Sequence, residues 1–435
     1  MGARAPRARE SRRGPGVPAR PRIFHGWWIV ATAFVCHAVN VGLMFYAWGV
    51  FLTPLAAEFG GRAAVALGYS FTQFAAAAYG LVVGRIVDRR GARQVETFGA
   101  CSMALGFLLV SRVTSLPALY ACLAGPVALG STCIGALPNN TAVARWFVVR
   151  RGQALGIATA GISAGGIVLA PLAQYLIVHL GWRSAYAVLA GMVLVLVLPP
   201  VLAFMRRDPA DLGLEPDGGP PPSRDHGQAA LAAVARELEH SVRPDVAVRQ
   251  PSFWLLAVSF GLTMAGLSGV LLYQIPLLLD RGIAATQASW VLGATAAMGV
   301  VGKLGFGALL DRYDQRRVAA VCFCLQAVGV LLLWLSSGPL LLACYVVLYG
   351  YAMGGNATLQ ASLVAEAFGR AHYGAISSRL VPFVVTAQAI GVPAIGYLRD
   401  VTGSFGPALA TIVAASLVAA VVVLQIRLPA KSWRR

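Results

Sequence analysis

The chain has 435 residues, of which 58% are hydrophobic and only 12% charged. Its apolar runs are too long and too closely spaced for one water-soluble core, which excludes an ordinary soluble domain. The formal charge of +18 does not signal nucleic-acid binding, because the basic residues stand in short clusters between apolar runs, as in loops on one face of a membrane.

In chain order, residues 1–25 are Arg-rich and predict a disordered basic tail, with a transit peptide as the alternative. The apolar run that follows is too long for a removable signal and has no small-residue cleavage site. A span needs about 20 mostly apolar residues. Twelve segments qualify, with starts near residues 27, 64, 94, 117, 152, 184, 252, 286, 318, 339, 373 and 405. The expected fold is an all-α membrane protein of twelve transmembrane helices, with an N-terminal half at 26–206, a linker at 207–250, a C-terminal half at 251–427 and a tail at 428–435. The linker contains "DGGPPPSRDHGQ", which cannot form a packed core, and then "QAALAAVARELEHSV", which predicts a short amphipathic helix at the interface.

Placing both tails and the even-numbered loops on one side puts 28 of the 35 Lys and Arg residues there, so both termini and the linker are expected in the cytoplasm. The other side holds Arg62, Arg112, Arg183, Arg281 and Arg399, and Lys303 and Arg379 lie within spans. The seven cysteines all fall in apolar runs and read as small core residues, with no disulfide framework and no metal site.

The chain repeats itself. "GRIVDRRGARQ" (84–94), after the second span, is echoed by "GALLDRYDQRR" (307–317), after the eighth, and "WFVVRRGQALGI" (146–157) more weakly by "AFGRAHYGAIS" (367–377). Two pseudo-symmetric six-helix halves follow, an architecture in which substrate sits between the repeats near the bilayer midplane. The repeated motif comprises Gly84, Asp88, Arg89, Gly91 and Arg93 in one copy and Gly307, Asp311, Arg312, Arg316 and Arg317 in the other. Glycine permits close helix approach, while the carboxylate can pair with an arginine or meet a helix N-terminus. This is a candidate conformational latch on the cytoplasmic side; the plain alternative is a positive-inside flank.

The doubled motif resembles that of the major facilitator superfamily, over essentially the whole chain after residue 25. "YAWGVFLTPLAAEFG", "RWFVVRRGQALGIATAGISAGG", "GWRSAY", "DPADLGLEPDG" and "FGRAHYGAIS" resemble the branch of oxalate/formate antiporters and monocarboxylate transporters. The fifth span has Gly156, Gly161, Gly165 and Gly166 before Pro171 and lacks the adjacent Gly-Pro of drug/proton antiporters, so it reads as a close-packing helix.

Lys303 lies about 12 Å along its helix from Asp311, slightly to the cytoplasmic side of the midplane of a hydrocarbon core of about 30 Å. A lysine at that depth either faces a polar cavity and binds an anion or reaches back to the interface. In the branch it resembles, a basic residue eight positions before this aspartate is a substrate-carboxylate ligand, and Lys303 stands there. The departures are Gln388, where oxalate/formate antiporters have a second cation, and Tyr46 and Gly299, where animal-type monocarboxylate transporters carry a lysine and an aspartate. A dianion would be poorly neutralised.

No Asp or Glu lies at mid-span, since Glu96 and Glu366 fall near cytoplasmic ends, so proton coupling would need His37, Lys303 or a protonated substrate. His37 otherwise reads as a buried packing residue, and Arg379 as an interfacial one. Spans that line the cavity in the family bring in Asn40, Tyr46, Asn139, Asn140, Tyr273, Gln274, Asn356, Gln360 and Gln388. Of these Asn40, Tyr46, Asn139, Tyr273, Asn356 and Gln388 join Lys303 as candidate substrate contacts, with interhelical hydrogen bonding as the other reading.

The resulting expectation is a secondary active transporter of the plasma (inner) membrane working by alternating access. Its partners are the bilayer, a small organic monoanion such as a monocarboxylate, and a coupling proton or counter-anion. An exporter of neutral or amphiphilic molecules and a non-transporting receptor are the alternatives. No span carries a metal-ligand cluster, an H-E-x-x-H pair or a nucleophile beside a base, so no cofactor and no enzyme activity are expected.

Overall fold

Proline and glycine mark where the helices begin and divide. Pro117, Pro251, Pro339 and Pro407 each stand in a first helical turn, where a missing backbone N–H costs no hydrogen bond. Gly181, at φ 77°, divides a 54-residue helical stretch in two, and Gly91, at φ 81°, turns the chain between the second and third spans; both angles are ones that a Cβ disfavours.

The computed structural model describes residues 23–59, 62–218, 241–336 and 338–428. The expected basic tail up to residue 22, the Pro-rich and amphipathic linker stretch at 219–240 and the C-terminal tail from 429 lie outside the described residues. Ten helical stretches are long and apolar enough to cross a membrane. With the longest divided at Gly181 and the 19-residue Ala92–Val110 included, the spans number twelve. They are α1 (Gly26–Phe59), α2 (Arg62–Arg90), α3 (Ala92–Val110), α4 (Leu116–Trp146), α5 (151–180), α6 (182–204), α7 (Pro251–Asp280), α8 (Ala285–Arg312), α9 (Gln315–Leu335), α10 (Pro339–Phe368), α11 (Tyr373–Thr402) and α12 (Gly406–Leu424).

Each half builds its own core. Ile29, Phe51, Trp146, Leu155 and Tyr186 are buried in the first half, and Phe253, Phe306, Phe323 and Phe368 in the second. Val178, Val195 and Ile390 instead stand out from the helices, as lipid-facing side chains do. The described chain ends gather at one end of the bundle: His25 bonds the Phe204 carbonyl and Arg427 N–H donates to Ser252. The basic repeated loops lie there too, and it is called the basic end below. At the far end Glu58 pairs with Arg183 and Asp280 with Arg399.

The halves meet along two crossings, α2 against α11 and α8 against α5, with α10 also touching α5. These crossings place the site.

Candidate functional site

The seam between the halves begins with the repeated motif. The Asp88 carboxylate, at the end of α2, accepts the backbone N–H groups of Gly374 (3.0 Å) and Ala375 (2.8 Å) at the start of α11. The Asp311 carboxylate, at the end of α8, accepts those of Gly152 (2.6 Å) and Gln153 (2.9 Å) at the start of α5. Each half therefore caps a helix of the other, satisfying donors that the helix start leaves open and meeting the positive end of its dipole. Gly84 lies against the Gly374 carbonyl and Ser378, and Gly307 against Gly152 and Gly156, so both crossings close through glycine backbones.

The motif's arginines stand apart from the helix starts that these carboxylates cap. Arg89, Arg93 and Arg312 are exposed, and Arg316 pairs with Asp314 at 2.9 Å instead. The cation that faces Asp88 is Arg145 of α4, at 3.6 Å, which also contacts Asp208 at 3.4 Å, while Arg370 crosses the seam to the Arg145 carbonyl. Sequence reasoning missed Arg145; its place before the "WFVVRRGQ" element was the available signal. Outside the spans, burial pushes the Arg370 guanidinium down to about 9, with Arg151 adding to the effect, and the hydrogen bond from Arg316 holds the Asp314 carboxyl below its ordinary value. Asp217, from the "DPADLGLEPDG" stretch, accepts N–H groups of Val148, Val149 and Arg150 just ahead of α5.

Farther from the basic end, Gly156 lies under the Lys303 carbonyl and Thr159 bonds Thr358 at 2.9 Å. Lys303 is 5% exposed, and its Nζ donates to Ser163 Oγ at 2.9 Å, across the seam from α8 to α5. The cross-half bonds of α5 thus fall on Gly152, Gln153, Thr159 and Ser163, all within its first half. Lys303 makes no ion pair among the described residues. Its head group is directed at the opposite half rather than along α8 to the basic end.

A second polar line reaches the seam beside it. His37 of α1 bonds Asn140 of α4 at 3.3 Å, and Asn140 in turn meets Tyr373 of α11. His37 lies within electrostatic reach of Lys303.

The remaining candidates are spread more widely. Asn40 accepts from Ser131 at 2.8 Å, and Tyr46, in the π-helical turn Gly42–Tyr46, lies over Gly166. Asn139 donates to the carbonyls of Ile134 and Gly135, where α4 departs from helical geometry. Gln388 donates to Ser268 of α7 at 3.0 Å. Tyr273 packs on Phe405 within the C-terminal half, where Gln274 accepts from Tyr345. Asn356 is buried with its Oδ1 unpartnered. Arg379 acts on Asp245, outside the spans, in keeping with its interfacial reading. Of the cysteines expected in the core, Cys36, Cys133 and Cys322 are buried, whereas Cys101 and Cys324 are exposed on the outer faces of their helices.

The comparisons agree with this architecture. The profile of the Major Facilitator Superfamily matches residues 33–281 and again 264–435. Monocarboxylate transporter 12-B of Danio rerio is 28% identical over 417 residues, covering 92% of this chain and 86% of its own. Monocarboxylate transporter 13 of Bos taurus is 27% identical, covering 87% and 84%. Among solved structures, the proton:xylose symporter XylE superposes with a TM-score of 0.75 at 12% identity, over 93% of this chain and 96% of that one, a likeness of fold. The chain belongs to the major facilitator superfamily: it is a multi-pass membrane secondary transporter of a small molecule, and not an enzyme.

Proposed function

We propose that the transported species is a small organic monoanion, such as a monocarboxylate, and that Lys303 is its principal ligand. The observation that carries this reading is a buried lysine on the seam whose only bond among the described residues is to a neutral hydroxyl, Ser163 Oγ. A buried ammonium with no counter-charge is costly, and an anion arriving at the seam supplies the missing charge. The monocarboxylate transporter relatives support the same class of substrate. The single cation favours one negative charge over two, since Gln388 offers none.

In the proposed cycle the basic end faces the cytoplasm. The anion reaches Lys303 from the far end while the two aspartate caps keep the basic end shut. Lys303 then exchanges Ser163 for the carboxylate, the halves rock, and the caps release. Asn40, Tyr46, Asn139, Tyr273, Asn356 and Gln388 are proposed as secondary contacts in the states the cycle visits.

A ligand-stabilisation screen of the purified protein against small mono- and dicarboxylates tests the reading. A ligand held at 100 times its dissociation constant stabilises the native state by about 2.7 kcal/mol. Monocarboxylates are expected to raise the unfolding temperature in the wild type and not in Lys303→Gln. No response to any carboxylate favours the exporter of neutral molecules.

A further inference from the structure

Glu96 is a buried charge-bearing group that the proposed cycle does not use. It lies one turn into α3, a place that reads from sequence as the membrane edge, yet it is 0% exposed and neither carboxyl oxygen has a hydrogen-bond partner among the described residues. Among the described residues, the titratable groups that act on it are thiols, Cys36 of α1 and Cys133 of α4, and α2, α5 and α6 bring none. Val83, Val87 and Val95 pack around Cys133 beside it. No lysine, arginine or histidine among the described residues reaches it. The desolvation of an ionised carboxylate so placed is uncompensated.

This carboxyl is not isolated from the seam. Cys36 meets Asn139, and the next residues along the same two helices, His37 and Asn140, are bonded to each other. His37 lies within electrostatic range of Lys303. Asn139 Oδ1 and His37 Nδ1 are themselves unpartnered and buried. Buried polar groups with open hydrogen-bonding capacity therefore stand on α1 and α4 on the side of Glu96 that faces the seam.

We propose that Glu96 is a proton-binding residue of the transport cycle, taking up a proton on one carboxyl oxygen and releasing it as the halves exchange conformation. A proton fits the site better than a hard metal cation, because the surroundings offer thiols and aliphatic groups instead of several oxygen ligands. The proposal does not depend on which substrate the seam takes.

Infrared spectra of the full chain in lipid vesicles test it without a substrate. Acid-minus-alkaline spectra, recorded in sodium chloride and in choline chloride, are expected to show a protonated-carboxyl carbonyl band that is lost in Glu96→Gln and displaced in Glu96→Asp. The proposal is overturned by identical wild-type and Glu96→Gln spectra, by a band that does not change with pH, or by a band that sodium removes. In proteoliposomes, with radiolabelled lactate as the probe, an inward proton gradient is expected to drive wild-type accumulation up to about tenfold per pH unit. Glu96→Gln is expected to lose that accumulation and keep counterflow; accumulation equal to wild type overturns the coupling role. A wild-type protein that does not move lactate counts against the monocarboxylate reading and leaves the infrared result to decide the role of Glu96.

Discussion

The carboxylate of Asp311 lies 2.6 Å from the backbone nitrogen of Gly152, on the other half of the molecule, and Asp88 makes the equivalent bonds to Gly374 and Ala375. The two copies of one motif thus hold one end of the seam closed from opposite sides. A carboxylate at a helix N-terminus contributes about 0.3–1 kcal/mol when exposed and up to about 2 when partly buried. Asp88→Asn or Asp311→Asn is therefore expected to shift the closed-to-open ratio of the basic end by about fivefold or more. Spin labels at exposed Arg93 and Arg317, one on each half, report that shift as growth of a longer distance population.

The glycines of the crossings are tested separately from the charges. A Cβ at Gly307 would stand 2.6 Å from the Gly152 carbonyl oxygen and 3.2 Å from its carbonyl carbon, both backbone atoms that cannot turn aside. Overpacking of this kind costs about 1–3 kcal/mol. Gly307→Ala is expected to hold the basic end ajar and slow transport, with insertion and expression retained. A transport assay beside a membrane-fraction blot separates the two effects.

Asp314 is a purely structural control. It caps α9 through Arg316 N–H at 2.9 Å and Arg317 N–H at 3.3 Å, and its side chain pairs with Arg316. Losing such a cap costs about 0.5–2 kcal/mol, so Asp314→Ala is expected to lower the unfolding temperature without changing the substrate response. Because Arg316 depresses the folded-state value of this carboxyl, its contribution is present above the ordinary carboxylate range and is lost as pH falls through the depressed value. A thermal-unfolding series toward acid pH is expected to show the wild type converging on the variant.

The twelve spans and the twofold repeat were legible because hydropathy and the "GRIVDRRGARQ" and "GALLDRYDQRR" echo are local patterns. The partner of each aspartate was not. A helix N-terminus donates through backbone N–H groups that carry no residue signature, and the flanking arginines suggested side-chain pairing, whereas Arg89, Arg93 and Arg312 point outward. The depth of Lys303 was readable from its distance to Asp311, but its direction depended on which face of α8 meets α5. Glu96 shows the converse limit: its position in sequence suggests the membrane edge, while packing of the neighbouring helices buries it completely.

The missing second cation yields a gain-of-function prediction. Gln388 is half-buried on α11 and donates to Ser268. Gln388→Lys is expected to improve dicarboxylate affinity relative to monocarboxylate by about tenfold, the equivalent of about 1.4 kcal/mol. Competition of di- and monocarboxylates for the purified variant measures the ratio, and an unchanged ratio removes Gln388 from the substrate path.

The proposed role of the Lys303 charge is to select an anion at the seam. The most direct measurement is uptake of a labelled monocarboxylate into proteoliposomes by wild type, Lys303→Ala and Lys303→Arg at matched protein incorporation. Lys303→Ala is expected to abolish uptake while the protein stays inserted and folded, and Lys303→Arg to retain part of it. Uptake by Lys303→Ala equal to that of the wild type would contradict that role.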